Sequence, residues 1–380
     1  MKKIKVITIF GTRPEAVKMA PLVKELERHP EHIESLVCVT AQHREMLDQV
    51  LEIFKIKPDY DLDVMQAGQT INELTIRVLQ GLDPVLKEAQ PDLILVHGDT
   101  STTFLGSYAA FLNQIQVGHV EAGLRTWNKL SPYPEEMNRQ LTGVLSDLHF
   151  APTGLSADNL RKENKPEDRI FITGNTAIDV FQYTVQKEFS HPILDWAKGK
   201  RLVLMTAHRR ESQGEPHRRV FRAVRRLADQ FDDIAIAYPV HMSPAVKGPA
   251  YEMLSGHDRI KLIDPVDVFE LHNFFPHTHL ILTDSGGLQE EAPTFGVPVL
   301  VLRDTTERPE GIDAGTLKLV GTDEDEIFEQ ASLLLTDPSA YEKMSRSANP
   351  YGDGKAAKRI VQAILYHFGH ADKRPDPFQP

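Results

Sequence analysis

Short apolar runs rich in β-branched residues recur along the chain, separated by longer stretches whose apolar positions return every three or four residues. In the first half the runs are Ile4–Phe10, Leu36–Thr40, Leu93–His97, Val117–Val120 and Leu148–Ala151. In the second half they are Leu202–Met205, Ile234–Tyr238, Ile260–Ile263, Leu280–Thr283 and Val299–Leu302. Runs that are apolar throughout, without alternation, predict strands buried on both faces, so the pattern predicts parallel sheets flanked by helices, an α/β fold. Between the two series, from about Gly174 to Lys200, the periodicity weakens, and Ser190-His191-Pro192 and Lys198-Gly199-Lys200 interrupt it. The expected organisation is therefore two Rossmann-like domains, 1–175 and 176–354, with a further helix from about Lys355 to Phe368. Two such halves facing across a cleft would bring the carboxyl ends of both sheets, where ligands bind in these folds, around one site.

Composition narrows the partners. A chain of 380 residues exceeds what one core usually organises. A formal charge of −11 argues against a broad polyanion-binding face, so nucleic acid is not an expected partner, although a local basic pocket for one phosphorylated small molecule is compatible with it. The single cysteine, Cys38, sits inside an apolar run and reads as a core residue, in keeping with a reduced, cytoplasmic setting. The basic start Met1-Lys2-Lys3 fails as an export signal, because Lys5 interrupts the apolar stretch and Gly11-Thr12-Arg13-Pro14 ends it. No apolar run has the length needed to span a bilayer.

The chemistry gathers at strand ends. The first strand runs into Gly11-Thr12-Arg13-Pro14, where a tight turn, Pro14 in the first helical turn and the charges of Arg13 and Lys18 suit an anion. Packing at Gly11 accounts for the same turn equally well. In the second half Thr283-Asp284-Ser285-Gly286-Gly287 leads from a strand into a helix whose first N–H groups are open to a diphosphate, with Glu291 placed for ribose hydroxyls. Other strands end in His97-Gly98-Asp99, Glu121-Ala122-Gly123 and Ala207-His208-Arg209, and Pro134-Glu135-Glu136 opens a helix. Several acids on successive strand ends of one half, opposed by a histidine on the other, favour a functional site over separate helix caps. No strand is followed by G-x-G-x-x-G, so a dinucleotide is not expected, and Tyr183 with Lys187, a Y-x-x-x-K spacing, reads as one helical face. Asp99, Glu121, His208 and His241 are the groups a metal would take, but no H-E-x-x-H or Cys/His cluster accompanies them, and neither metal nor other cofactor is expected.

Taken together, these segments resemble the non-hydrolysing UDP-N-acetylglucosamine 2-epimerases of bacteria. The matching segments are Phe10–Glu15, Val39–Arg44, His97–Thr100, Gly118–Thr126, Asp284–Pro293, Arg303–Glu310 and Asn349–Gly354, an ordered set that spans nearly the whole chain. The resemblance implies a GT-B fold, a helix over about 355–380 that packs back on the first domain, a homodimer, and interconversion of UDP-GlcNAc and UDP-ManNAc supplying cell-envelope polysaccharides. It implies that Arg13, Lys18, Ser285, Gly286, Gly287, Glu291 and Arg308 hold UDP, and that Asp99, Glu121, Glu135 and His208 surround the sugar. It also implies that a second UDP-GlcNAc acts as an activator, held by Gln42, His43, Glu136, Arg209 and His241. Trp127 is a departure, since the resembling proteins often carry Gly there, and it bears on the loop leading to Glu135.

The reaction so implied has to overcome an unactivated C2. No ring carbonyl adjoins it, so departure of UDP from C1 must acidify the C2 hydrogen. Loss of that proton gives a 2-acetamidoglucal, and protonation from the opposite face as UDP returns inverts C2 alone. Net redox change is zero. Asp99, Glu121 and Glu135 form the pool for the proton transfers, while Arg13, His208, Arg308 and the Ser285-Gly286-Gly287 turn would meet the charge on the leaving diphosphate. The nearest rival is a glycosyltransferase of the same fold, which needs an acceptor but not this many acids. A non-catalytic UDP-sugar sensor, which would need only the phosphate contacts, is the other.

Overall fold

The computed structural model describes residues 2–41, 44–66 and 68–380, with the backbone alone for 44–46. The chain forms two compact units. The first comprises the residues up to Tyr183 together with Tyr351–Gln379, and the second Thr184–Pro350 with Pro380. The crossing lies beyond the expected 175/176 junction, because the short helix Thr176–Asp179 packs on helix Arg13–Glu27 of the first unit and buries Ile178.

The first unit is a seven-stranded parallel sheet. Its strands are β1 (Ile4–Phe10), β2 (Ile33–Val39), β3 (Tyr60–Asp61), β4 (Leu93–His97), β5 (Gln116–Val120), β6 (Leu148–Ala151) and β7 (Ile170–Ile172), in the order β3-β2-β1-β4-β5-β6-β7. The second unit is a six-stranded parallel sheet of β8 (Arg201–Thr206), β9 (Ile234–Pro239), β10 (Ile260–Ile263), β11 (Thr278–Thr283), β12 (Val299–Val301) and β13 (Leu317–Leu319), in the order β10-β9-β8-β11-β12-β13. All ten expected strands are present. The three additional ones, β3, β7 and β13, are two or three residues long and close the sheet edges, too short to register as apolar runs. Each sheet reverses its strand order once, between β1 and β4 and between β8 and β11. Loops leaving neighbouring strands at that point splay to opposite faces and leave a crevice at the carboxyl edge.

The sheet strands are apolar because helices cover both faces. In the first unit Ile7, Ile9, Ile94, Val96 and Val117 pack against Val78, Leu82, Leu105 and Ala109, and in the second Met205, Ile236, Leu280 and Leu300 pack against Phe221, Val224, Leu227 and Ile327. The last helix, Ala356–His367, belongs to the first unit and packs on helix Arg13–Glu27. Its first turn lacks a cap from its own chain segment; the Asp179 carboxylate supplies one, accepting from Ala356 N–H at 3.0 Å and Ala357 N–H at 2.8 Å. Burial pushes that carboxyl up to about 7 against the pull of the two N–H groups.

Histidine also enters the core. His119 and His149 pair directly across β5 and β6, and both are buried. His119 Nε2 reaches Gly98 O at 2.7 Å, whereas His149 Nδ1 has no partner among the described residues. Burial holds the His149 imidazole down to about 3, with Lys165 and Arg125 adding to the effect. Because its folded value lies below the unfolded one, its contribution to stability is present above about pH 6.5 and is lost as pH falls from there. In urea unfolding, His149→Gln is expected to flatten the dependence of stability on pH between 6.5 and 4 by one proton, about 1.4 kcal/mol per pH unit. An unchanged slope would show that His149 takes up its proton in the native state.

Candidate active site

In the first unit the loops after β1, β4 and β5 are tied together by carboxylates. Thr12 caps helix Arg13–Glu27 and Glu15 completes a capping box, its Oε2 accepting from Gly11 N–H at 3.1 Å and Thr12 N–H at 2.8 Å. The other oxygen of Glu15 accepts from Thr100 Oγ1 at 2.7 Å, so one buried acid joins the turn after β1 to the turn after β4. Gly11 is required by packing: a Cβ there would lie 2.0 Å from Thr40 Oγ1 and 2.7 Å from Thr102 Oγ1. Arg13, at the first helical position, makes no hydrogen bond or ion pair among the described residues.

Lys18 is differently placed. Its Nζ donates to Glu121 Oε2 at 2.5 Å, so its charge is engaged by a carboxylate of its own unit. Glu121 adopts φ 62°, a left-handed backbone that costs a side chain of this size about 1 kcal/mol or more, and strain of this kind concentrates at functional sites. The same Oε2 accepts from Asn175 Nδ2 at 2.8 Å and lies 3.7 Å from His97 Nε2. Burial holds the His97 imidazole down to about 4, so it stands neutral beside the Lys18–Glu121 pair.

Asp99 follows Gly98, itself in the left-handed region, and its carboxylate pairs with Arg139 of helix Glu135–Leu145. Burial raises the Asp99 carboxyl above its ordinary value, Arg139 opposes this, and the Glu121 and Glu135 charges add to the rise. Glu135 opens the same helix, half-buried, on its N-terminal turn. Thus Asp99 and Glu121 are held by different cations, and Asp99 feels the charges of both Glu121 and Glu135.

The second unit repeats the arrangement at its own reversal point. β8 and β11 end side by side, Thr206 opposite Thr283, so Ala207-His208-Arg209 and Asp284-Ser285-Gly286 leave the sheet together. Asp284 Oδ2 accepts from the backbone N–H of His208 at 2.7 Å and of Arg209 at 2.8 Å, while Oδ1 lies 2.9 Å from His208 Nδ1. Burial would raise this carboxyl, but the hydrogen bond and charge of His208 and the two N–H groups outweigh it and hold it below its ordinary value. Asp284 therefore fixes the His208 ring. Ser285 stands at the N-cap of helix Gly286–Glu291 without a capping side-chain bond, so its hydroxyl does not close off the helix start. A Cβ on Gly286 would meet Arg308 Nη2 at 3.8 Å and Arg209 Nη2 at 4.0 Å: two guanidinium groups face a bare backbone. Arg308 is oriented by Glu290, and Arg209 Nε donates to Asp284 O at 3.3 Å. Beside this turn a cavity of about 170 Å³ is lined by Pro239, Pro265, Val266, Leu271 and Leu288, and a more polar one of about 450 Å³ by His208, Arg209, Arg210, Gln213 and His241.

Asp284, Glu290, Arg139 and Asn175 were not anticipated as site residues. The signal for the first two was available: both are acids inside Asp284–Pro293, next to the residues expected to bind. The other two act across the fold from distant sequence positions. Of the residues expected around an activator, Gln42 and His43 lie outside the described residues. Arg209 and His241 border one cavity, with the His241 ring stacked at 5.9 Å on His208. Glu136 does not fit that role: it is fully buried and accepts from Thr126 N–H at 3.1 Å, Trp127 N–H at 3.0 Å and Gln140 Nε2 at 2.8 Å. These bonds also explain how Trp127 occupies a position with φ 62° that favours glycine, its N–H being held in place by a buried carboxylate. Glu291 lies within helix Gly286–Glu291 with its carboxylate 3.8 Å from His272 Nε2. Tyr183 packs on Phe54 and accepts from Arg28 at 3.4 Å, a structural role, and Lys187 is exposed. No three His, Cys, Asp or Glu side chains among the described residues gather as a metal site.

A family model described as UDP-N-acetylglucosamine 2-epimerase matches residues 24–365. The UDP-N-acetylglucosamine 2-epimerase of Bacillus subtilis (strain 168) is 59% identical over 378 residues, covering 100% of this chain and 99% of that protein. Among solved structures, the MnaA–UDP co-structure from S. aureus superposes with a TM-score of 0.90 at 51% identity, covering 99% and 100% of the two chains. The UDP-GlcNAc 2-epimerase from Neisseria meningitidis bound to UDP-GlcNAc gives 0.85 at 48%, covering 95% and 100%.

Removing the Glu136 carboxylate frees two N–H groups in the loop ahead of Glu135. In Glu136→Ala, hydrogen exchange at Thr126 and Trp127 is expected to accelerate by roughly tenfold to a hundredfold, the equivalent of one to three kcal/mol for an unsatisfied buried group. Unchanged protection would show that the loop is held by something else.

Proposed function

The chain belongs to the UDP-N-acetylglucosamine 2-epimerase family, and from that premise we propose that it interconverts UDP-GlcNAc and UDP-ManNAc by anti elimination of UDP followed by its readdition. The observation that carries the reading is the pair of acids in the first unit, Glu121 ion-paired with Lys18 and Asp99 held above its ordinary range. A carboxylate whose charge is met by Lys18 suits taking the C2 proton, and a carboxyl raised above its ordinary value, against the pull of Arg139, suits returning one from the opposite face. We assign Glu121 and Asp99 to these roles, with Glu135 raising Asp99 by its charge.

In this reading the C1–O bond breaks with its electron pair passing to the UDP diphosphate, the C2 hydrogen leaves as a proton to Glu121, and 2-acetamidoglucal remains. Arg308, Arg209, His208 and the Ser285-Gly286-Gly287 backbone receive the diphosphate, Arg13 assists, and the 170 Å³ apolar cavity beside Leu288 accepts the uracil. Glu291 is assigned to the ribose hydroxyls. Lys18 acts on the phosphate only through Glu121. An activating second UDP-GlcNAc is assigned to the 450 Å³ cavity of Arg209 and His241, without Glu136. A UDP-sugar substrate and a buried Cys38, whose thiol is pushed up to about 12 by burial, suit a cytoplasmic enzyme supplying ManNAc for envelope polysaccharides. Among the described residues no helix is long and apolar enough to cross a membrane.

A homodimer is supported by an apolar face on the first unit. Helices Ser101–Leu112 and Glu135–Leu145 pack together and leave Phe111, Leu112 and Val144 more than half exposed. Sedimentation of Phe111→Glu/Val144→Glu should give monomers where the parent chain gives dimers; a monomeric parent would remove this assignment.

Purified protein given UDP-GlcNAc alone should form UDP-ManNAc by NMR, with neither acceptor nor nicotinamide added. Asp99→Asn should lower kcat by about a hundredfold or more, the usual contribution of a general acid, with UDP affinity within about twofold. Equal losses of turnover and affinity would mark Asp99 as structural, and dependence on an acceptor would mean glycosyl transfer.

A further inference from the structure

We propose that Asn175 is a positioning residue for the epimerisation, its amide fixing the Glu121 carboxylate and its backbone tying that orientation to the segment where the chain re-enters the first unit. The proposal rests on the role assigned above to Glu121.

Asn175 is buried and caps the short helix Thr176–Asp179, its Oδ1 accepting from Ala177 N–H at 3.0 Å. That bond fixes the amide: with the oxygen committed to the helix, Nδ2 is directed away from it and donates to Glu121 Oε2 at 2.8 Å. A cap needs only an acceptor, which Asp, Ser or Thr would supply equally well. The donor half of the amide serves Glu121 instead. The Asn175 N–H meanwhile donates to Tyr351 O at 2.7 Å, and Tyr351 is the first residue of the returning segment. That segment is seated closely, since a Cβ on Gly352 would lie 3.0 Å from Ile178 Cγ1 and 3.4 Å from Asn175 O. One residue thus joins the acid at the end of β5 to the re-entry of the chain.

Asn175→Asp keeps the cap and the shape but replaces the donor with a second acid. Among the described residues, Lys18 from helix Arg13–Glu27, the neutral His97 at the end of β4 and the Asp99 carboxyl after it already face Glu121. An added like charge raises the pH at which Glu121 loses its proton. The expected result is a fall in kcat of about a hundredfold with the acid limb of the kcat profile moved to higher pH, while UDP affinity stays within about twofold. Asn175→Ser, which can cap but is too short to reach Glu121, should lose kcat similarly and move the limb less than Asn175→Asp does. Asn175→Asp with the parental kcat and pH profile would overturn the proposal, as would losses in both variants that track only a lowered Tm. Glu121→Gln separates the two levels: if it turns over at the parental rate, the role of Glu121 is wrong. If it is inactive while Asn175→Asp is fully active, only the role of Asn175 is wrong.

Discussion

Much of the first unit's chemistry depends on one strained residue, Glu121. A left-handed backbone right after β5 turns its carboxylate back toward the loop after β4, and the strain persists because Lys18, Asn175 and the neutral His97 over-determine where the carboxylate goes. Each partner comes from a different element: helix Arg13–Glu27, the cap of Thr176–Asp179, and β4. The acid is therefore pre-organised for the proton transfer proposed for it.

The second unit solves a different electrostatic problem with the same geometry. The task proposed for it is to receive growing negative charge. The groups at hand are a bare Gly286 backbone together with two guanidinium groups and an imidazole, each of these three aimed by an acid or by the Asp284 carbonyl. Asp284 and Glu290 carry no charge to a phosphate themselves; they hold the groups that would. Removing either would leave a cation without its orienting partner while keeping the net positive character of the turn.

The two parallel sheets were legible because strands buried on both faces are apolar at most positions, and their short runs recur between longer stretches of helical period. The chain crossing was misplaced because Thr176–Asp179 is too short to show a period, and only its packing on Arg13–Glu27 assigns it to the first unit. Candidate residues next to glycine turns were the ones sequence could nominate, since Gly98, Gly286 and Gly287 mark where backbone must turn or lie bare. What escaped was pairing. Nothing in local sequence says that Lys18 meets Glu121, that Arg139 meets Asp99, or that Glu136 is buried and holds the Trp127 N–H while its neighbour Glu135 stays at the helix opening. These are contacts between residues from 9 to 103 positions apart, set by the strand order and by which face of a helix turns inward.

The central claim is that the C2 hydrogen leaves as a proton while UDP departs from C1. It is tested most directly by running the reaction on UDP-GlcNAc in heavy water and reading C2 by proton NMR. The account requires UDP-ManNAc to carry deuterium at C2 from its first appearance, with the label entering the UDP-GlcNAc pool as the reaction reverses. UDP-ManNAc that retains the original hydrogen would contradict it.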